Sequence, residues 1–290
     1  MPRHRPVTDP GFRRRMGRVL LAAVDPRTGS DLAAVRRLEL EWSRGGWAPL
    51  VVSVVSTGPE VGASTISALL AQRLAGRQGR DLTAVLDADR DQALRRLLGS
   101  GSHGGLGQLL ADPVAGHQRR RVDSYVDGGG LVPLLAPAVD APGPELGVAD
   151  LAASLAALRR RYPNVVVDLS ARLQFDQVSW ALANSDHVVL VAPLGTTAAS
   201  DALRLAAEWT RSRGADAVRV SVVVSLVGQP ELLARNIQSS GGSPFGVVVW
   251  PVDQWLAHAG VVRLGRLSLP TRRAVEQLAA GLAPAGRTVP

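Results

Sequence analysis

The segment 50–77 constrains the fold most, because it joins an apolar run, a glycine-containing loop and a helical pattern. Leu50–Ser56 is apolar enough for a buried strand, and Ser64–Arg77 carries its large apolar residues at helical spacing. The loop between them reads Gly-Pro-Glu-Val-Gly-Ala-Ser-Thr over residues 58–65. In this arrangement, backbone N–H groups and a helix N-terminus hold a phosphate. The segment therefore predicts a phosphate-binding loop.

This loop lacks the cation that phosphate-binding loops of its form carry. Ala63 stands where a lysine works on the β- and γ-phosphates, and all 33 basic residues of the chain are arginine. A composition that disfavours lysine would convert surface lysines to arginines, but it does not explain an alanine here. The architecture indicates a nucleotide, and the loop chemistry argues against hydrolysis. The alternative is that the true loop is offset by a residue or two.

Beyond Trp47 the pattern alternates between strands and helices. The predicted strands are 50–56, 82–87, 130–136, 164–169, 186–192, 218–226 and 246–250. The predicted helices are 64–78, 91–98, 147–161, 198–213, 230–238 and 271–282. Only 4% of the residues are aromatic, and several strands are unbroken valine and leucine runs, which is typical of strands buried on both faces. We expect an α/β fold, a doubly wound, mostly parallel sheet of seven or eight strands with helices on both faces.

Two regions are predicted along the chain, 1–46 and 47–290. Residues 1–46 combine an arginine-rich arm with a short helix that Asp31 can cap, and Gly45 and Gly46 end it. The arm is either a docking tail or a solvated terminus. Residues 47–290 are long enough for one α/β domain.

Composition excludes several classes of function. The chain has no cysteine, its five histidines show no ligand spacing, and no apolar run reaches the length of a membrane span. A cytoplasmic protein is the expectation. The net charge of +8 favours anionic partners, including DNA, although an arginine-rich soluble surface gives the same number.

Seven short segments, in this order within residues 48–282, resemble the motifs of the ParA/MinD family of deviant Walker A ATPases. They are the loop 58–65, Asp87–Asp89, Leu98–Gly99, Gly130–Ala136, the Walker B-like strand Tyr162–Leu169, Ser185–Pro193 and Pro251–Asp253. The resemblance implies a P-loop NTPase-like domain with ATP and Mg²⁺ as ligands and a homodimer as one possible assembly.

The resemblance also assigns roles to individual residues. The nucleotide contacts would be Gly58, Val61, Gly62, Ala63, Ser64, Thr65, Ser225, Pro251 and Asp253. Ser64, Asp87 and Asp168 would hold Mg²⁺, and Asp89 would be the vestige of a residue that positions the attacking water. Alternatively, these aspartates are the carboxylates that commonly end parallel strands at the polar rim of a sheet.

Departures from the family pattern are as informative as the matches. Gly58 and Ala63 replace the two loop lysines of the family, and Ser225 falls near the asparagine that reads adenine. Pro59 removes a backbone N–H, and Glu60 adds a negative charge beside the phosphate position. Residues 61–65 can still form a nest of backbone N–H groups. Arg90 or Arg172 would be the substitute cation if one completes the site.

These observations favour a catalytically impaired ParA/MinD-like protein, a pseudo-ATPase. It would act as a binding or scaffolding module that positions or assembles a larger machine, such as one for secretion, pilus formation, conjugation, division or DNA segregation. Protein partners would contact 1–46 and the tryptophans, and a membrane-bound assembly could recruit the protein. The alternative is an active but slow ATPase that partitions DNA or cargo.

Overall fold

The computed structural model describes residues 32–40, 49–89, 92–101, 105–112, 114, 119–138, 146–169, 175–194, 197–213, 219–226, 246–257 and 260–282. Several features of the sequence analysis lie outside these residues: the arginine-rich part of the arm, the helix cap Asp31, Gly45 and Gly46, the predicted helix 230–238, and the candidate cations Arg90 and Arg172.

Seven strands form one sheet. They are β1 (Leu50–Ser56), β2 (Thr83–Asp87), β3 (Leu134–Leu135), β4 (Asn164–Asp168), β5 (His187–Pro193), β6 (Arg219–Ser225) and β7 (Gly246–Trp250). Their order is β3-β2-β4-β1-β5-β6-β7, and every neighbouring pair is parallel. The predicted fold class is confirmed.

Nine helices occur in the described part of the chain. They are α1 (32–40), α2 (Ala63–Gln78), α3 (Ala93–Leu98), α4 (Leu106–Ala111), α5 (Arg119–Tyr125), α6 (Val148–Arg161), α7 (Phe175–Asn184), α8 (Ala198–Arg213) and α9 (Leu269–Leu282). Short 3-10 turns lie at Arg80–Leu82 and Leu264–Arg266.

Helices cover both faces of the sheet, because alternate residues of each strand point in opposite directions. Val51 and Val55 of β1 pack in a core with α4, α5, α6, α7 and α8. Val52 and Val54 pack in a second core with α2, α3 and α9. The central strand is thus buried on both sides, which explains why its sequence shows no polar alternation.

Three helices were not predicted from the sequence, α4, α5 and α7. Helix α4 has six residues, lies beside two glycines and buries only Leu106 and Leu109, too few to show a period. The apolar residues of α7, including Trp180, Ala181 and Leu182, are consecutive rather than spaced by three or four. The predicted strand 130–136 shortens to β3 because Gly130 and Leu131 make bends before it.

Helix α1 lies in the predicted appendage but contacts the remainder of the protein. Val35 is buried, and Glu39 lies 3.6 Å from the guanidinium of Arg272 on α9. The short helix therefore packs on the face that α9 covers.

Gly105 precedes α4 at a point where the backbone of α5 passes very close. A Cβ atom at this position would overlap the carbonyl group of Tyr125, whereas one at Gly107 would meet open space. We expect Gly105→Ala to lower the free energy of unfolding by about 1–3 kcal/mol, as overpacking does. Gly107→Ala, within the helix, should be neutral or raise it by up to about 1 kcal/mol. Urea unfolding of both variants checks this, and equal effects would contradict the close approach.

Candidate phosphate-loop site

The loop after β1 turns sharply into α2 and opens one wall of a cleft. Gly62 has φ 91° and precedes the first turn of α2, where its carbonyl oxygen accepts a hydrogen bond from the Ile66 N–H. Glu60 also has a positive φ, 57°, which is uncommon for a residue with a side chain. The turn directs the N-terminus of a 16-residue helix toward the cleft.

The cleft has a volume of about 580 Å³. All the loop residues predicted to contact nucleotide line it: Gly58, Val61, Gly62, Ala63, Ser64 and Thr65. Pro59 and Glu60 line it too, and so does Asp89 from the segment after β2. The structure therefore brings together the loop and the predicted water-positioning residue.

Two aspartates end neighbouring strands beneath the loop. Asp87 and Asp168 are in register across β2 and β4, and both are buried. The Ser67 hydroxyl donates a 2.8 Å hydrogen bond to Asp168 Oδ1, and the Ser64 hydroxyl also bonds this carboxyl group. The N–H of Asp89 donates to Asp87 Oδ1 at 3.0 Å. In each of the two buried carboxyl groups, Oδ2 has no hydrogen-bond partner within the described residues.

Burial sets the ionisation of this pair. It raises the pKa of Asp168 to about 7, against the lowering effect of the two serine hydroxyls. The pKa of Asp87 is raised well above its usual value by burial and by the negative charge of Asp168. A proton or a hard cation would satisfy the open oxygens, since both bind carboxylate oxygen.

The donor set is compatible with Mg²⁺ only in part. Ser64, Asp87 and Asp168 supply oxygen atoms, as that cation requires. No group of three or more His, Cys, Asp or Glu side chains that could hold a metal occurs in the part of the chain that the structure describes. A cation here would therefore be coordinated in part by the serine hydroxyl and by oxygen atoms of a molecule bound in the cleft.

Among the residues that the structure describes, the charged side chains that line the cleft are Glu60, Asp89 and Arg96. Arg96 is exposed on α3, and it was not singled out from the sequence. The neighbouring Arg95 is buried and turns away, donating to the carbonyl oxygens of Gly101 and Pro137. The sequence places Arg96 on a helix that follows the segment with Asp89, but only the packing of α3 decides that this side chain faces the cleft.

The residues predicted on the adenine side do not line the cleft. Ser225 is buried at the end of β6, and Pro251 follows β7 without reaching the cleft wall. The Asp253 carboxylate accepts hydrogen bonds from the N–H groups of Trp255 at 2.9 Å and Ser268 at 2.8 Å. Burial acts to raise the pKa of Asp253, but these bonds and those of the Thr271 and Ser268 hydroxyls outweigh it and lower the pKa.

The loop that Asp253 shapes does reach the cleft, through other residues. Leu256, Ala257 and Gly260 of this loop form one wall of the cleft. This wall could not be predicted from the sequence, because Asp253 acts through the loop conformation rather than by direct contact.

No protein-family model and no curated protein matches the sequence. Solved structures do resemble the chain. A ParA family ATPase from Chlorobium tepidum matches with a TM-score of 0.58 and 18% identity, over 80% of this chain and 98% of that one. MinD from Pyrococcus horikoshii, solved with Mg-ADP, matches with a TM-score of 0.57 and 16% identity, over 79% of this chain and 93% of that one. The MinC:MinD complex of Aquifex aeolicus matches with a TM-score of 0.54 and 17% identity, over 82% of this chain and 99% of that one.

None of the described helices has both the length and the apolar character of a membrane span. The matches cover four fifths of the chain at low identity, so they concern the fold. With its parallel seven-stranded sheet and its loop between β1 and α2, the chain has the fold of the ParA and MinD ATPases.

Proposed function

We propose that this protein is a ParA/MinD-like module for positioning or assembling a larger machine, with an impaired nucleotide site. The observation that carries the proposal is the charge of the cleft. Ala63 supplies no cation at the start of α2, and in the described lining the two carboxylates of Glu60 and Asp89 face one guanidinium, that of Arg96.

Electrostatics gives the size of this impairment. Two unit charges about 4 Å apart interact by about 4 kcal/mol at an effective dielectric constant of about 20. If the missing attraction and the added repulsion are each worth about half of that, the affinity for a triphosphate falls by about a thousandfold. Pro59 also removes one backbone N–H, which would otherwise donate a hydrogen bond to a phosphate oxygen.

The residues fit a divalent cation better than they fit ATP. The open Oδ2 atoms of Asp87 and Asp168 suit a cation or a proton, whereas the loop offers a triphosphate backbone N–H groups and a nearby carboxylate. We therefore assign no hydrolytic step to this site. The fold that the chain shares with ParA and MinD proteins supports the proposed role in assembly, since one of these proteins is solved with its partner MinC.

A substitution of Asp89 tests the proposal that the protein does not hydrolyse ATP. We expect Asp89→Asn to change phosphate release from Mg-ATP by less than about twofold, because under this proposal the wild-type rate is itself at background. The measurement is a steady-state phosphate assay of the full-length protein with and without DNA. Asp176→Asn, an exposed aspartate on α7, is the matched control. Turnover that Asp89→Asn abolishes and Asp176→Asn retains would refute the proposal.

A second candidate is the slow ATPase that partitions DNA or cargo, and Arg96 favours it. This guanidinium lines the cleft and forms no hydrogen bond or ion pair with the described residues, so it is available to a phosphate. It lies on α3 rather than in the loop, and a guanidinium seldom reproduces the compact position of a lysine. Under this alternative Arg96→Gln would abolish turnover together with Asp89→Asn, and DNA binding would weaken steeply with salt.

A further inference from the structure

We propose that the surface around Trp255 docks an acidic segment of a partner protein, an inference that rests on the proposed role as a binding module. The Trp255 surface consists of Val252, Trp255, Val261, Arg263 and Arg266. It lies on the loop that separates the phosphate-loop cleft from the C-terminal helix α9.

Exposed apolar side chains define this surface. Val252 is 68% exposed, Trp255 53% and Val261 42%, although all three are large and hydrophobic. The other described tryptophans are placed differently: Trp180 and Trp250 are buried, and Trp209 packs partly against the core. Trp255 is therefore the tryptophan that faces solvent in the described residues, and Trp42 and Trp47 lie outside them.

A cavity of about 470 Å³ lies beside the indole ring. Its apolar walls come from Trp255, Val261, Val262 and Leu267. This volume is within the range of about 300–1,000 Å³ that is usual for ligand pockets, and it admits a large apolar side chain.

The charge of the surface selects an anionic partner. Arg263 and Arg266 line the cavity, and none of the described residues that line it is acidic. Both guanidinium groups are exposed, and neither forms an ion pair or hydrogen bond with another described residue. The nearest carboxylate in the loop, Asp253, is buried and holds backbone N–H groups.

The loop is held in place from beneath, which lowers the cost of binding. In addition to the Asp253 contacts, the Leu256 N–H donates to Asp253 O at 3.0 Å, and the Val262 N–H donates to Leu97 O at 2.9 Å. The Trp255 surface is thus anchored to α3 on one side and to the start of α9 on the other.

A peptide fits this composition better than a nucleic acid does. Tryptophan and arginine are enriched among the residues that dominate protein interfaces. Single-stranded nucleic acid is held by series of aromatic rings on which successive bases stack. Here one ring stands beside two exposed valines, which suit an aliphatic or aromatic side chain of a partner, while the arginines suit flanking aspartates or glutamates.

The test is selection from a phage-displayed library of random dodecapeptides on the full-length protein, since the library makes no assumption about sequence. We expect enriched peptides that combine a large apolar residue with two or more flanking acidic residues. The best peptide, synthesised and titrated by fluorescence anisotropy, should bind at least tenfold more weakly to Trp255→Ser and to the double variant Arg263→Ser, Arg266→Ser. The double variant Arg159→Ser, Arg160→Ser removes the same charge from the exposed end of α6 and should bind normally.

Three outcomes would overturn the proposal. The selection yields no consensus or a basic one; the two arginine double variants bind the peptide equally; or a labelled (dT)20 strand binds the wild type and loses binding in Trp255→Ser, which would make the surface a nucleic-acid site. Circular dichroism of each variant confirms that it is folded. None of these results depends on nucleotide binding, so this inference and the proposed function fail separately.

Discussion

Replacing Asp168 by asparagine is expected to raise the free energy of unfolding at pH 8 by about 2–4 kcal/mol. Burial raises the pKa of this carboxyl group from its ordinary value of 3.8 to about 7, so the folded protein holds an unfavourable charge at pH 8. A shift of about three pH units corresponds to at most about 4 kcal/mol. Asparagine removes the charge and can still accept the bonds from the Ser64 and Ser67 hydroxyls.

The pKa shift of Asp168 also fixes the direction in which the free energy of unfolding changes with pH. Below about pH 7 the folded protein binds a proton at Asp168, whereas the unfolded chain does so only near pH 3.8, so this group makes the protein more stable as the pH falls between these values. His187 acts in the opposite direction, because burial lowers its pKa from 6.5 to about 3 and the unfolded chain alone is protonated between them. The difference between variant and wild type removes the contribution of His187, which is common to both, and reports Asp168 together with its effect on the pKa of Asp87.

Urea unfolding at pH 8 and pH 5 makes the measurement. The gain in the free energy of unfolding that Asp168→Asn brings over the wild type should be largest at pH 8 and smaller at pH 5. Asp176→Asn on the surface of α7 should change the free energy of unfolding by no more than about 0.5 kcal/mol. An Asp168→Asn variant that is less stable at pH 8, or whose advantage does not change with pH, would contradict the raised pKa.

The second large effect is a gain of nucleotide affinity. The double variant Ala63→Lys, Glu60→Gly should bind Mg-ATP at least about 100-fold more tightly than the wild type. It adds a cation at the first residue of α2 and removes the carboxylate that lines the same cleft, each worth about 2 kcal/mol by the argument above. Glycine also accepts the positive φ of residue 60 without strain.

Ala257→Lys is the matched control for this gain. Ala257 lines the cleft from the loop after β7, so a lysine there adds one positive charge to the same space but outside the first turn of α2. We expect it to improve affinity by only a few fold in calorimetric titrations. The single variant Ala63→Lys adds the same charge as Ala257→Lys, and equal gains from these two variants would show that general charge, and not the missing loop cation, limits binding.

Much of the fold follows from the sequence, because parallel strands buried on both faces leave unbroken apolar runs. Val165–Val167 and Val188–Leu190 are such runs, and both lie in the sheet as predicted. Helices α4 and α7 escaped prediction because one is very short and the other has consecutive rather than periodic apolar residues. Their formation depends on the core that they cover.

The candidate site also contains residues that the sequence predicts and residues that it does not. Residues 58–65, Asp87 and Asp168 were predictable, since a loop after a strand and carboxylates at the ends of parallel strands share one edge of the sheet. Arg96 and Ala257 were not, because whether a side chain on a short helix or a loop faces a cleft is decided by tertiary packing. The role of Asp253 in shaping its loop depends on its contact with Ser268, 15 residues away.

Isothermal titration calorimetry of the wild-type protein with ATP and with ADP, in the presence of Mg²⁺ and up to millimolar nucleotide, tests the central claim most directly. The Ala63→Lys, Glu60→Gly variant serves as the positive control in the same buffer. We predict no saturable heat from the wild type and clear binding by the variant. Micromolar binding of ATP by the wild type would contradict the account and would identify Arg96 as the first residue to replace.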